Sequence, residues 1–236
     1  MNLKKIYFFS DVAIILIVSL VFIFSYLSGP IIPIAIYGEK TISAIYSGNK
    51  SKNNVSLMFN VYENTEVVQG ILKVLEEKNV SATFFVGGCW ADDNKKTLND
   101  IVNANCELAN HGYFHKDHKN ISYEKNLEEI KNAGEMIELL TGVKPNLFAP
   151  PSGSYSEVTL EVADKLGYKT IMWSKDTIDW RDKDENTILS RATKNLSNGD
   201  LILMHPKEHT LNVLPKIIDF ILENGYNIVT VGKNIE

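Results

Sequence analysis

The chain has few cysteines, few arginines and no excess of positive charge. Only Cys89 and Cys106 occur among its 236 residues, which excludes a disulfide-dense scaffold and a zinc module built from several cysteines. The two thiols are either reduced or paired. Lys and Arg total 24 against 29 Asp and Glu, a formal net charge of −5. The sequence therefore lacks the basic surface that nucleic-acid binding requires. Arginine occurs only at Arg181 and Arg191, so sites that need a planar guanidinium are scarce.

One long apolar run lies at the N-terminus. Between Lys5 and Glu39 the only charged residue is Asp11, and residues 12–27 are nearly all aliphatic or aromatic. About 20 such residues in a helix match the thickness of a bilayer core, so residues 6–28 predict a single-pass transmembrane anchor. The lysines before the run predict that this end is cytoplasmic, which leaves the rest of the chain extracytoplasmic. A cleaved signal peptide is the alternative interpretation.

The rest of the chain alternates short β-type runs with segments of helical period. The β-type runs predict seven strands, at 55–59, 82–86, 106–110, 146–149, 169–173, 200–204 and 226–231. This alternation implies a parallel sheet with helices outside it, and seven strands in one domain favour barrel-like closure. We therefore predict a cytoplasmic stub with a membrane anchor (1–28), a stalk that could add one edge strand (29–54) and a single α/β domain (55–236).

Histidines and a carboxylate follow several of the predicted strands. In parallel α/β folds, reactive groups collect at the carboxyl ends of the strands. His111 and His115 follow the third strand, and their spacing suits a pair of metal ligands. His205 follows the sixth strand, and Asp176 could orient its imidazole as a general acid requires. Each residue alone has a plainer explanation, such as a solvated loop histidine, but together they form a site hypothesis.

The order of six segments resembles the polysaccharide deacetylase family, the NodB-homology carbohydrate esterases of family 4. The segments are VSATFFVGGCWA, ELANHGYFH, LFAPPSGSY, MWSKDTIDW, LILMH and ENGYNIVTV. The likeness runs from about Val55 to the C-terminus and implies a deformed (β/α)7 barrel. It also implies that a divalent metal, usually zinc, is held by one Asp and two His. Such a site removes acetyl groups from N-acetylglucosamine polymers or related sugars.

The resemblance assigns roles to individual residues. They are metal ligation for His111 and His115, general acid for His205, the carboxylate that tunes this acid for Asp176, a wall of the sugar groove for Trp180, and backbone oxyanion donors near Ser152 and Gly153.

The first and third motifs depart from the family pattern. Asn60 occupies the position of the catalytic base and Val61 that of the metal-binding Asp, while Ala149 replaces an Arg that orients the base. An amide does not take a proton from water at a useful pKa, and an isopropyl group does not bind a cation. A spore-associated branch of the family resembles this rewritten first motif, with an acidic residue a few positions later.

Two interpretations follow from these departures. In the first, Glu63 or Glu66 reaches back to complete the site, with His118 as another candidate third ligand, and the chain is a metal-dependent deacetylase of reduced activity. The same glutamates could instead simply favour a helix N-terminus. In the second interpretation the chemistry is lost, and the chain binds glycan or serves as a scaffold in the cell wall or spore. Either way we expect an N-acetylated glycan such as peptidoglycan as ligand, and zinc only if a third ligand exists.

Overall fold

The computed structural model describes residues 3–27 and 41–236. The chain forms two units, Met1–Thr41 and Ile42–Glu236. The described part of the first unit contains helix α1, Leu3–Leu27. Within the described ranges, no helix combines the length and apolar content needed to cross a membrane. Most of the predicted stalk, residues 28–40, lies outside the described residues.

The second unit alternates strands and helices. Its strands are Asn54–Val61 (β1), Thr83–Val86 (β2), Glu107–Asn110 (β3), Leu147–Phe148 (β4), Lys169–Thr170 (β5), Lys175–Asp176 (β6), Leu201–Met204 (β7) and Asn227–Ile228 (β8). Its α-helices are Thr65–Glu77 (α2), Gly88–Asp93 (α3), Lys95–Asn103 (α4), Tyr123–Thr141 (α5), Glu157–Lys165 (α6), Glu185–Thr193 (α7), Glu208–Glu223 (α8) and Val231–Asn234 (α9). Single-turn 3-10 helices span His118–Asn120 and Pro151–Gly153.

All strand pairs are parallel, and the strand order is β5-β4-β3-β2-β1-β7-β6, with β8 beside the start of β1. The sheet curls into a half-barrel with helices outside it. In the described part of the chain, β5 and β6 end the path and do not pair with each other. The prediction of a parallel α/β sheet is therefore confirmed. The predicted closure into a barrel is only partial, because the sheet forms a half-barrel. The sequence patterns also missed the short strand β6.

Local sequence signals account for the ends of the helices. Ser122 caps α5 by accepting a hydrogen bond from the Lys125 N–H, and the helix ends at Gly142 with φ of 72°. A left-handed residue of this kind favours glycine, which has no Cβ to clash. Ser156 and Thr159 form a reciprocal capping box at the start of α6.

Alternation along the strands divides the core into two layers. Val55, Leu57, Phe59 and Val61 of β1 belong to the larger cluster between the sheet and its helices. Met58 points to the other face and joins a smaller cluster that includes Phe85, Ala109 and Leu203. Successive strand residues point to opposite faces. The next residue of β1 on the inner face is therefore Asn60.

Part of the predicted stalk packs against the domain. Ile45 forms a parallel bridge with Ile171, and the Gly48 N–H donates to the Gly199 carbonyl at 2.7 Å. The compact unit thus starts at Ile42, before the predicted domain start at Val55.

Candidate functional site

Three strands deliver polar side chains to one end of the inner face. Asn60 is near the carboxyl end of β1, while His111 and His205 directly follow β3 and β7. Each lies two positions after an inner-cluster residue, namely Met58, Ala109 and Leu203, so the period of two places all three on the same face. They line a cavity of about 680 Å³. The other lining residues are Tyr62, Glu63, Phe114, His115, Ser152, Trp173, Asp176, Trp180, Leu203, Pro206 and Lys207.

The structure brings together the two histidines predicted as metal ligands. The ring centroids of His111 and His115 are 5.2 Å apart in an edge-on arrangement. The chain turns between them through Gly112 with φ of 72°, and His115 has φ of 54°. His111 is buried, and its Nδ1 donates to the Ala149 carbonyl at 2.8 Å. Because a neutral imidazole has one donor and one acceptor, Nε2 is then the acceptor.

Burial sets the charge state of both imidazoles. Desolvation, with the neighbouring His115 next in importance, lowers the pKa of His111 to about 3. Desolvation also lowers the pKa of His115. Removing water from an imidazole disfavours its cation, so His111 is neutral at ordinary pH.

His118 does not serve as a third ligand at this cavity. It is fully buried, and its Nδ1 lies 2.7 Å from Asn126 Oδ1. Its ring packs edge-on against Phe148 with centroids 5.1 Å apart. It is absent from the cavity lining. The interpretation of His118 as a candidate third ligand is therefore wrong, and its ring belongs to the packing between α5 and β4.

His205 is oriented by Asp179, and the prediction that Asp176 does so is wrong. The Asp179 carboxylate accepts from the His205 Nδ1 and backbone N–H, both at 2.7 Å, and from the Thr210 hydroxyl at 2.7 Å. Burial opposes the charge of Asp179, but these hydrogen bonds offset burial and lower its pKa. Asp176 instead accepts from the Ile178 N–H at 2.8 Å and lines the cavity.

The rewritten first motif occupies two different environments. Asn60 lines the cavity and is 6% exposed, and its Oδ1 is buried without a hydrogen-bond partner. Val61 is fully buried in the larger apolar cluster, on the other face of β1. Ala149, where the family has an Arg, is also fully buried and contributes its carbonyl to His111. The site therefore has neither the base nor the orienting guanidinium.

The glutamates proposed as replacements do not complete a metal site. Glu63 lines the cavity but forms an ion pair with Lys207. Glu66 is an exposed residue in the first turn of α2, where it favours the helix dipole, and it does not line the cavity. Across the described residues there is no group of three His, Cys, Asp or Glu side chains that could hold a metal ion. Two imidazoles alone fall short of the three protein ligands of a catalytic zinc site. The residues present therefore do not fit the predicted metal.

The remaining predicted groups have mixed outcomes. Trp180 and Ser152 line the cavity, and Trp180 is 55% exposed. The Gly153 N–H donates to the Pro150 carbonyl at 3.0 Å, so it is engaged within its own turn and is not a free oxyanion donor. Cys89 and Cys106 are free thiols.

Sequence reasoning missed several groups of the cavity wall. Phe114 is 57% exposed on the wall, between the two histidines in sequence, and Trp173 lies where the fifth strand was predicted. The position of Phe114 inside the HGYFH segment was a signal for it. Tyr62 and Lys207 carried no such signal, because they reach the cavity from the loops after β1 and β7.

The comparisons with known proteins agree with this geometry. The sequence matches the polysaccharide deacetylase family over residues 47–171. It is 30% identical over 191 residues to a peptidoglycan-N-acetylglucosamine deacetylase of Bacillus cereus, which covers 79% of this chain and 70% of the relative. The chain belongs to the polysaccharide deacetylase family.

Other relatives are similar over most of the chain. The Bacillus subtilis protein YlxY is 35% identical over 189 residues, which make up 80% of this chain and 59% of YlxY. The crystal structure of BA3943, a CE4 family pseudoenzyme from Bacillus anthracis, matches with a TM-score of 0.81 and 34% identity. That match covers 83% of this chain and 70% of BA3943. A BA3943 mutant with restored enzymatic activity matches with the same TM-score at 33% identity, over 83% of this chain and 72% of the mutant.

Proposed function

We propose that this polysaccharide deacetylase homologue binds an N-acetylated cell-wall glycan such as peptidoglycan and hydrolyses its N-acetyl groups slowly or not at all. The observation that carries the proposal is the composition of the cavity. Asn60 occupies the place of the base, and no third metal-binding side chain lies beside His111 and His115 in the described residues.

A histidine–aspartate pair in the cavity supports a role in the acid step of hydrolysis. His205 lines the cavity, and the Asp179 carboxylate holds its Nδ1. This pairing fixes the orientation of an imidazole that gives a proton to a leaving group. A carboxylate at position 60 and a bound divalent metal would be needed to activate water and to polarise the acetamide. This chain's own residues supply the acid side of that reaction only.

The expected loss of rate is large. A positioned general base contributes roughly 10²- to 10⁴-fold to a proton-transfer reaction, and Asn60 cannot act as one. The similarity to BA3943, described as a pseudoenzyme, supports the same conclusion. Full activity would need a carboxylate at position 60, where the cavity has Asn60, and a third metal-binding side chain beside His111 and His115, which the described residues do not provide.

The walls of the cavity support a carbohydrate as ligand. Phe114 and Trp180 are both more than half exposed on its rim. Large aromatic rings with this exposure are typical of binding surfaces, because covering their apolar area with a ligand removes it from water. The names of the relatives point to peptidoglycan as the source of the glycan.

Acetate release and glycan binding, measured on the full chain, test the proposal together. With an N-acetylglucosamine pentamer and added zinc, cobalt or nickel, we expect acetate release at least 100-fold slower than that of the Bacillus cereus relative assayed in parallel. We expect direct binding of the pentamer, measured by titration calorimetry. His205→Ala serves as the control for the origin of any acetate.

Two outcomes of this experiment would contradict the proposal. Acetate release within tenfold of the relative, lost in His205→Ala, would mean that the chain is an ordinary deacetylase. If the chain neither binds the pentamer nor binds peptidoglycan fragments, its role as a glycan-binding member of the family is wrong.

A purely scaffolding role in the cell wall or spore is the second candidate, and the missing third ligand favours it. Both roles require the domain to be on the outer side of the cytoplasmic membrane, where peptidoglycan is found. We propose this location for residues 42–236. Protease treatment of intact cells without their wall tests it, because an external domain would be degraded while cytoplasmic proteins survive.

A further inference from the structure

Within the described residues, Asn60 makes no contact that explains its polarity. It is 94% buried, and its Oδ1 has no hydrogen-bond partner. Nor does its Nδ2 make a hydrogen bond with the described part of the chain. A buried polar group without a partner lowers the stability of the fold. By contrast, Asn110 on β3 binds the Ile130 carbonyl and the Gly112 N–H through its two polar atoms, as a structural asparagine does.

The position of Asn60 gives its carboxamide access to a ligand. It lines the cavity together with His111, which follows β3, and Leu203 of the adjacent strand β7. The terminal torsion of asparagine is broad, so its donor and acceptor can exchange places at little cost. His111, on the same wall, presents an acceptor, because its Nδ1 proton is engaged with Ala149. The carboxamide of Asn60 therefore adds to the cavity a donor that the His111 imidazole does not supply.

We propose that Asn60 recognises the acetyl group of the glycan by donating a hydrogen bond from Nδ2 to the acetyl carbonyl. This assignment rests on the proposed glycan-binding function and makes it more specific. An acetamide carbonyl accepts hydrogen bonds, whereas the ammonium group of a deacetylated sugar only donates them. The cavity is thus selective for N-acetylated glycan over its deacetylated form. The replacement of Asp by Asn then exchanges a catalytic group for a recognition group.

Matched titrations of the full chain with an N-acetylglucosamine pentamer and a glucosamine pentamer test this inference. The wild-type chain should bind the acetylated pentamer at least tenfold more tightly. Asn60→Asp has nearly the same shape but no donor and an added negative charge. We expect its preference for the acetylated pentamer to fall at least tenfold, with a relative gain for the cationic pentamer.

Two further variants separate recognition from structure. Asn60→Leu removes both polar atoms at similar volume, so we expect tenfold weaker binding of the acetylated pentamer with an equal or higher melting temperature. Asn224→Asp makes the same charge change on an exposed residue at the end of α8 and should leave the preference unchanged. It controls for net charge, and Asn60→Leu keeps the test decisive if Asn60→Asp fails to fold.

The possible results distinguish this inference from the broader proposal. If wild type binds neither pentamer, the proposed function fails. If wild type prefers the acetylated pentamer and Asn60→Leu keeps that preference, only the role of Asn60 is overturned. A marked fall in the melting temperature of Asn60→Leu would show a structural role and would also overturn it.

Discussion

At the residue scale, the local backbone decides that Asp179, and not Asp176 three residues earlier, binds His205. Strand β6 ends at Asp176, and Ile178 adopts a left-handed φ of 55°. This conformation is unfavourable for a β-branched residue, and the Ile178 N–H is bound by Asp176. The turn directs Asp179 back to His205, where it accepts two hydrogen bonds. Both carboxylates follow the strand predicted at 169–173, so spacing alone did not distinguish them.

The buried His111 predicts how stability depends on pH. Its pKa is lowered to about 3, whereas an unfolded histidine titrates near 6.5. Between these values the unfolded chain binds a proton that the folded chain does not. His111 therefore causes little loss of stability above about pH 6.5. Below that pH, protonation of the unfolded chain progressively lowers the free energy of unfolding. We expect it to lower the free energy of unfolding by about 2 kcal/mol from pH 7 to pH 5.

The variant His111→Asn isolates this effect, because its amide can still donate to the Ala149 carbonyl. Urea unfolding at pH 7 and pH 5 should show a smaller loss of stability in the variant, by about 2 kcal/mol. His115 and His118, whose pKa values are also lowered by burial, are present in both proteins. Equal pH dependence in the two proteins would contradict the assignment.

At the scale of elements, the sequence predicted the existence of strands better than their lengths. The run at 226–231 predicts one strand, but β8 ends at Ile228 and α9 begins at Val231. The change follows from contacts made by other strands. The Val231 N–H donates to Thr83 Oγ1, and the Gly232 N–H donates to Glu107. These distant side chains stabilise the start of a helix where local propensity favours a strand.

Helix α5 offers a test of packing between elements. Gly134 lies in its middle, where alanine would raise helix propensity by about 1 kcal/mol. A Cβ at Gly134 would overlap Tyr168 Oη, however. We expect Gly134→Ala to lower the free energy of unfolding by about 1 to 3 kcal/mol despite its propensity.

The double variant Gly134→Ala with Tyr168→Phe removes the overlapping oxygen and should recover most of the loss. Tyr168→Phe alone is the reference, and urea unfolding of all four proteins gives the coupling energy. Additive effects of the two substitutions would show that the contact does not limit packing here.

At the scale of the whole molecule, the scaffold of the family is retained while the ligand set of its metal site is incomplete. The sheet, the cavity and the His205–Asp179 pair are present. In the described chain, only two side chains of the expected metal set converge, and Glu63 is paired with Lys207. We therefore expect the fold of this chain to form without a bound metal.

Metal removal provides the corresponding prediction. A ligand that binds only the folded state stabilises it by RT ln(1 + [L]/Kd) and so raises the melting temperature. We therefore expect EDTA to change the melting temperature of this chain by less than about 1 °C. The purified chain should carry less than about 0.1 equivalent of zinc, cobalt or nickel by elemental analysis. The Bacillus cereus relative, treated identically, is the comparison. Stoichiometric metal, with a loss of several degrees on its removal, would contradict the incomplete site.

The sequence alone determined the family, the parallel α/β class and the position of His111, His115 and His205 at strand ends. These features can be predicted from local patterns, because period-two alternation and the order of motifs are properties of the sequence itself. Only the tertiary structure decided that the sheet stays open, that Asp179 holds His205, that Phe114 lines the cavity and that Glu63 is engaged by Lys207. Each of these features depends on contacts between segments that are far apart in sequence, and a local sequence pattern does not specify such contacts.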